Sequence, residues 1–172
     1  MSSGSKLDKI NDTYIENFRW SITKIREVVY IKGRIGWKGL KKSEFGNEGI
    51  LIINGPNLES GHVKWTECLR VPEWRFLESK EIAVKVNDVL LTKDGTIGKV
   101  AFIEKLPEPA TLASGIFLLR SKNENILFPK FLYSYLNSKL FANFVSKRVE
   151  GSVISHLYQR DIEEIDLPLP PY

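Results

Sequence analysis

The apolar pattern of this chain changes period part-way along, and that change constrains the fold more than any other feature. Up to about residue 120 the apolar residues fall in short runs broken by glycine, proline or Asp-Gly, and from Phe131 to Val145 they recur at helical spacing. Ile25–Ile31, Ile50–Asn54, Glu81–Val86, Val89–Thr92, Lys99–Glu104 and Gly115–Arg120 read as strands. Asp94-Gly95, between two of them, is a strong hairpin signal, and Gly55-Pro56-Asn57 marks a turn. Pro129 suits a first helical turn, and Phe131, Leu132, Tyr135, Leu136, Leu140, Phe141, Phe144 and Val145 then predict one long helix ending at or before Gly151. Ser155 is a plausible N-cap for a short helix over Leu157–Ile162, and Ile165–Pro171 must be extended. The expectation is an α+β domain: twisted, mostly antiparallel β-structure with a long helix in the C-terminal half.

A chain of 172 residues is long enough for one self-sufficient core. No apolar run approaches the roughly 20 residues that span a bilayer, and no signal-peptide segment opens the chain, so a cytoplasmic protein without a membrane partner is expected. The single Cys68 excludes an internal disulfide framework and, with only His62 and His156 beside it, argues against a Cys/His zinc site. Cys68 reads as a small buried hydrophobe rather than a nucleophile. His156 has no evident acid or nucleophile partner in the sequence, which argues against catalysis there. Charge is unevenly placed. Arg19–Lys42 carries eight cations and one anion, whereas residues 43–172 sum to −2. Either a polyanion meets this basic segment or the segment is a solvated face.

Three loops carry candidate chemistry. In Gly33-Arg34-Ile35-Gly36-Trp37-Lys38-Gly39-Leu40-Lys41-Lys42, glycines allow close backbone approach and Arg34 offers a fork suited to guanine or phosphate. Trp37 can stack on a base or anchor a core, and the lysines suit phosphates. The second, Val89-Leu90-Leu91-Thr92-Lys93-Asp94-Gly95-Thr96-Ile97-Gly98-Lys99-Val100, reads as strand, turn and strand that cradle a phosphate through backbone N–H groups, as a structural hairpin, or as both together. Its spacing is wrong for a Walker loop, which argues against a nucleoside triphosphate. In the third, Gly151-Ser152 is either a phosphate-contacting turn or a helix C-cap leading to a new N-cap. An RNA- or nucleotide-binding regulatory domain stacking single strands on Trp37 or Trp65 fits these loops too. A small-molecule enzyme lacks a supporting acid–base pair or nucleophile.

Val86-Asn87-Asp88-Val89-Leu90-Leu91-Thr92-Lys93-Asp94-Gly95-Thr96-Ile97-Gly98-Lys99-Val100 closely resembles the strand-turn-strand of type I restriction–modification specificity subunits. Phe131-Leu132-Tyr133 with its helix, Gly151-Ser152, and Ile165-Asp166-Leu167-Pro168-Leu169-Pro170-Pro171 resemble, in the same order, that family's target recognition domain. The likeness implies a module that reads duplex DNA sequence and is not itself an enzyme. The implied partners are double-stranded DNA, the modification (methyltransferase) subunit and the restriction subunit, with S-adenosylmethionine held by the methyltransferase and no cofactor here. Residues 1–17 read as a flexible lead and 18–172 as a single recognition domain. The long spacer helix of the family is absent, so a fragment, a half-subunit, or a piece of a single-chain restriction–modification enzyme is expected. Pro170-Pro171-Tyr172 has a superficial likeness to an adenine-methylase pocket motif, but Leu169 replaces its leading Asn or Asp. The DNA contacts that follow are Lys32, Arg34, Trp37, Lys38, Lys41, Lys42, Lys93, Thr96, Lys99, Gly151 and Ser152. Arg34 is expected to set which sequence is bound, and the lysines how strongly.

Overall fold

A continuous run of apolar residues in a strand implies burial on both faces, and two such runs, Val89-Leu90-Leu91 and Ile116-Phe117-Leu118-Leu119, lie at the centre of this fold. The computed structural model describes residues 20–35, 39–149 and 156–171. Strand β2 (Val29–Gly33), β7 (Val89–Thr92), β8 (Val100–Phe102) and β10 (Ile116–Ser121) form a four-stranded antiparallel sheet in the order β2-β10-β7-β8. Its residues alternate strictly between two cores. Val89, Leu91, Phe117 and Leu119 face one cluster, with Leu132, Leu136, Phe141, Leu157 and Ile162 of the C-terminal helices. Leu90, Ile116 and Leu118 face the other, with Leu51, Ile53, Ile82 and Leu112.

Three layers result. One comprises the helices α3 (Pro129–Leu136), α4 (Lys139–Val149) and α5 (Gln159–Glu163). The four-stranded sheet is the middle layer. Beyond it, β3 (Ile50–Ile53) pairs antiparallel with β6 (Leu69–Val71) and parallel with β9 (Ala110–Leu112). A small hairpin, β4 (Leu58–Glu59) and β5 (His62–Val63), adjoins β8 through the Phe102 N–H bond to the Gly61 carbonyl at 2.9 Å. The extended C-terminal segment becomes β11 (Asp166–Leu169), paired antiparallel with β1 (Ser21–Lys24). Among the described residues no helix is long and apolar enough to cross a membrane.

The fold is α+β and mostly antiparallel, as the sequence predicts, with local corrections. Ile25–Ile31 is not one strand: α1 (Ile25–Val28) is a single helical turn between β1 and β2. Glu81–Val86 is a 3-10 turn over Lys80–Ile82 followed by irregular chain, since its alternating residues satisfy a turn as readily as a strand. The long helix is two helices. At the break, the Ser138 hydroxyl accepts the Phe141 N–H (3.3 Å) while the Ser138 carbonyl accepts from Ala142 (3.0 Å), the geometry of an N-cap. The short helix starts later than predicted, capped at Tyr158; Ser155 lies outside the described residues.

Asp88, inside the hairpin motif, is fully buried. It accepts both arms of the Arg120 fork (2.6 and 2.8 Å) and the Lys85 N–H (2.7 Å), bracing the sheet at the end opposite the hairpin loop. Its place in the motif is therefore structural.

Candidate nucleic-acid interface

Strand register decides which loops share an end of the sheet. Gly33 pairs with Phe117, Thr92 is opposite Ile116, and Leu91 is opposite Val100. The ends of β2 and β7 therefore meet the starts of β8 and β10. The loop after β2, the hairpin loop 93–99 and residues 113–115 all leave from this one end. A side chain at Gly33 would be crowded at 3.1 Å by the Phe117 ring, so glycine lets the basic loop leave close to the sheet.

The hairpin loop is organised from beneath by Thr92, which is 1% exposed. Its hydroxyl donates to the Thr96 carbonyl (2.6 Å) and accepts the Lys99 N–H (2.9 Å), while its own N–H donates to the Lys99 carbonyl (3.0 Å). Gly95 and Gly98 adopt φ of +66° and +90°, the left-handed region that glycine enters without strain. Thr96 is thereby exposed at the tip. Lys93 and Lys99 are half-buried. The Lys93 ammonium lies 5.1 Å from the Phe117 ring centre and 4.0 Å from an Asp94 carboxylate oxygen.

Chain distant in sequence joins this loop. The Leu157 N–H donates to the Lys93 carbonyl (3.0 Å), the Lys93 N–H to Gly115 (2.9 Å), and a β-bridge links Asp94 to His156. His156 Nδ1 meets the Asp94 carboxylate, so the imidazole has the acid partner that the sequence did not reveal.

On the basic loop the structure corrects one expectation outright. Arg34 is 3% exposed. Its guanidinium donates to the Leu112 carbonyl (2.8 Å), the Ser79 hydroxyl (3.2 Å) and the Thr111 hydroxyl (3.1 Å). Burial, with Arg75 adding to it, lowers its pKa, although a guanidinium starts high enough to stay charged. A fork engaged by three internal acceptors cannot read a base edge. Arg34 anchors the root of the loop instead.

Lys41 and Lys42 are exposed, and Lys42–Glu44 forms one 3-10 turn. Glu44 accepts the Lys41 N–H (2.7 Å) and both arms of Arg75 (2.8 and 2.9 Å), which itself lies in α2 (Glu73–Leu77). The Lys41 N–H, and then Arg75, hold the Glu44 carboxyl below the usual carboxylate range. Lys32 is half-buried with its ammonium 5.9 Å from the Tyr30 ring centre. Trp37, Lys38, Gly151 and Ser152 lie outside the described residues.

The chain matches the type I restriction modification DNA specificity domain over residues 17–172. It belongs to that family. The specificity domain is 26% identical over 155 residues to the type I restriction enzyme MjaVIII specificity subunit of Methanocaldococcus jannaschii, covering 88% of this chain and 36% of the relative. It superposes on the HsdS subunit of Thermoanaerobacter tengcongensis with a TM-score of 0.60 at 17% identity, covering 88% of this chain and 33% of that one. A type I restriction–modification S subunit from M. genitalium gives 0.58 at 16% identity, with 96% and 40% covered. The specificity domain thus spans 33–40% of the length of these proteins.

The sequence reading missed three parts of this end of the specificity domain: the Arg75–Glu44 brace, the Thr92 hub, and the His156–Tyr158–Arg160 stretch. Alternating His, Tyr and Arg at 156, 158 and 160 was the available signal for the last. The Thr92 hub is local, four and seven residues from its partners, but a threonine in a strand does not announce that its hydroxyl closes the next loop; the Arg75–Glu44 brace joins residues 31 apart and leaves no local trace.

Proposed function

We propose that this chain is the DNA-reading part of a restriction–modification specificity subunit, with the end of the four-stranded sheet that carries the basic loop and the hairpin as its DNA face. One observation carries the reading beyond family membership: strand register brings the root of the basic loop, at Gly33, and the Lys93–Lys99 hairpin to one end of the sheet. The basic loop's exposed lysines suit phosphate contact, which holds register on a duplex without carrying sequence information. Thr96 at the hairpin tip, together with Trp37, is the candidate for contacts to base edges. Gly151 and Ser152 are proposed, from the sequence motif alone, to contact the same DNA. Residues 18–172 act as a single recognition domain. Methyl transfer with S-adenosylmethionine, and cleavage, are assigned to the modification and restriction subunits, and this chain is proposed to direct them without catalysing either step.

The test is selection from random duplexes by the purified chain with its methyltransferase subunit, followed by titration of the selected site against salt. Affinity should fall by about 0.9 log units per contacted phosphate for each log unit of salt. A triple Lys38/Lys41/Lys42→Ala variant should bind all duplexes more weakly. Binding by the triple variant as tight as wild type would remove the basic loop from the interface. Methyl transfer to DNA by the chain alone would overturn the non-catalytic assignment.

A further inference from the structure

We propose that His156, Tyr158 and Arg160 form a clamp for a DNA backbone phosphate, fixing the register of the 93–99 hairpin on the duplex. The proposal rests on the DNA-binding reading above and adds a contact that the charge distribution of the sequence does not point to. Three observations carry it.

The first is position. The Asp94–His156 bridge and the Leu157–Lys93 hydrogen bond (3.0 Å) fasten this stretch directly to the hairpin, so its side chains share the hairpin's end of the molecule.

The second is pre-organisation. The Tyr158 ring stands edge-on to the His156 imidazole, with centres 4.6 Å apart and planes at 63°, and the Arg160 guanidinium lies 5.0 Å over the ring. Despite contact on two sides Tyr158 remains 46% exposed. The ring is held in place with much of its surface open to a ligand.

The third is the balance of donors and acceptors. The carboxylates beside this stretch are already engaged: Asp94, across the bridge, by His156, Asp161 by Arg148 (3.4 Å), Glu163 by Gln159 (2.7 Å) and Glu164 by Arg26. Neither the Arg160 guanidinium nor the Tyr158 hydroxyl has a hydrogen-bond or ion-pair partner among the described residues. A cluster of open donors whose neighbouring anions among the described residues are engaged elsewhere suits an acceptor with several oxygens and a negative charge. A phosphodiester is that ligand, since a guanidinium and a hydroxyl can both donate to one phosphate. His156 contributes by fixing the Tyr158 edge and tying the group to Asp94, which makes it a positioning residue.

The experiment uses the full chain and a duplex carrying its selected site, read by fluorescence anisotropy across a salt series. Arg160→Ala and Arg160→Gln should each weaken binding about tenfold and lower the salt slope by about one unit. Tyr158→Phe, which keeps the ring and the cation–π contact, should weaken binding severalfold. The sequence preferred in selection should not change. A methylphosphonate scan supplies the chemical identity: one backbone position should weaken wild type about tenfold and leave Arg160→Ala unaffected. If Arg160→Ala and Tyr158→Phe keep wild-type affinity and slope while Lys93→Ala weakens binding, the clamp is overturned and the DNA face stands. A changed base preference in Arg160→Ala likewise overturns the clamp, because Arg160 then reads a base. Failure of wild type to bind any duplex overturns the clamp and the DNA-binding reading together.

Discussion

Arg34 shows how far a residue's chemistry is set by its surroundings. From the sequence it is a free fork between glycines at the centre of a basic loop. In the fold it supplies donors to a backbone carbonyl and two hydroxyls contributed by residues 79, 111 and 112. Each buried acceptor left unsatisfied costs about 1–3 kcal/mol. Arg34→Ala should therefore lower the thermal midpoint by several degrees, at roughly 2–4 °C per kcal/mol for a domain of this size, with the preferred DNA sequence unchanged. A shifted sequence preference at an unchanged midpoint would restore Arg34 to the bases. Cys68 is half-buried rather than buried as the sequence suggests, and its thiol donates to the Lys64 carbonyl (3.5 Å). Burial first, then the charge of Glu67, pushes its thiol up to about 11, so almost none is thiolate at neutral pH. Alkylation by iodoacetamide at pH 7.5 should be much slower in the native chain than in the urea-unfolded chain. Equal rates would show that the thiol is neither shielded nor shifted.

At the scale of elements, legibility followed the strength of local patterning. β7 and β10 were readable because three- and four-residue apolar runs bounded by turn residues leave a strand buried on both faces as the simplest reading. The hairpin was readable because Asp94-Gly95 specifies a reversal, although the loop spans 93–99 and is closed by Thr92 rather than by a two-residue turn. The strand proposed for Glu81–Val86 failed because alternation alone does not provide a pairing partner. The helix break was missed because the apolar spacing runs on through residues 137–138. Helical spacing records which face is buried, whereas the break depends on a side chain capping the backbone. The cap can be tested. Ser138→Ala removes the acceptor for the Phe141 N–H and should cost about 1 kcal/mol, a midpoint drop of roughly 2–4 °C. An unchanged or raised midpoint, with increased helical circular dichroism, would mean that the cap does not hold the break.

For the whole molecule, strand direction divides the surface into two ends that differ in their proposed role, although both carry lysines. Lys93 is at one end, where the loop that carries Lys41 and Lys42 has its root at Gly33, and those two lysines are proposed to share it. At the other, beside the starts of β2 and β7 and the ends of β8 and β10, are the exposed Lys85, Lys105 and Lys122. Replacing either set with alanine takes the net charge from +4 to +1, so any effect of overall charge is the same in both variants. The six-residue strand β10 spans the distance between the ends, about 20 Å at roughly 3.3 Å per residue. At physiological ionic strength the Debye length is about 8 Å, so charges at the far end are largely screened from DNA bound at the near end. The Lys41/Lys42/Lys93→Ala variant should therefore lose affinity for every duplex, with its salt slope reduced by up to about three units. The Lys85/Lys105/Lys122→Ala variant should bind with nearly wild-type affinity and slope. Anisotropy titrations of both variants against one duplex at several salt concentrations make the comparison. Equal losses from the two ends would mean that DNA responds to net charge alone and would reject the assignment of a DNA face to one end of the sheet. Loss from the far set alone would move that face to the opposite end, beside the Asp88–Arg120 pair.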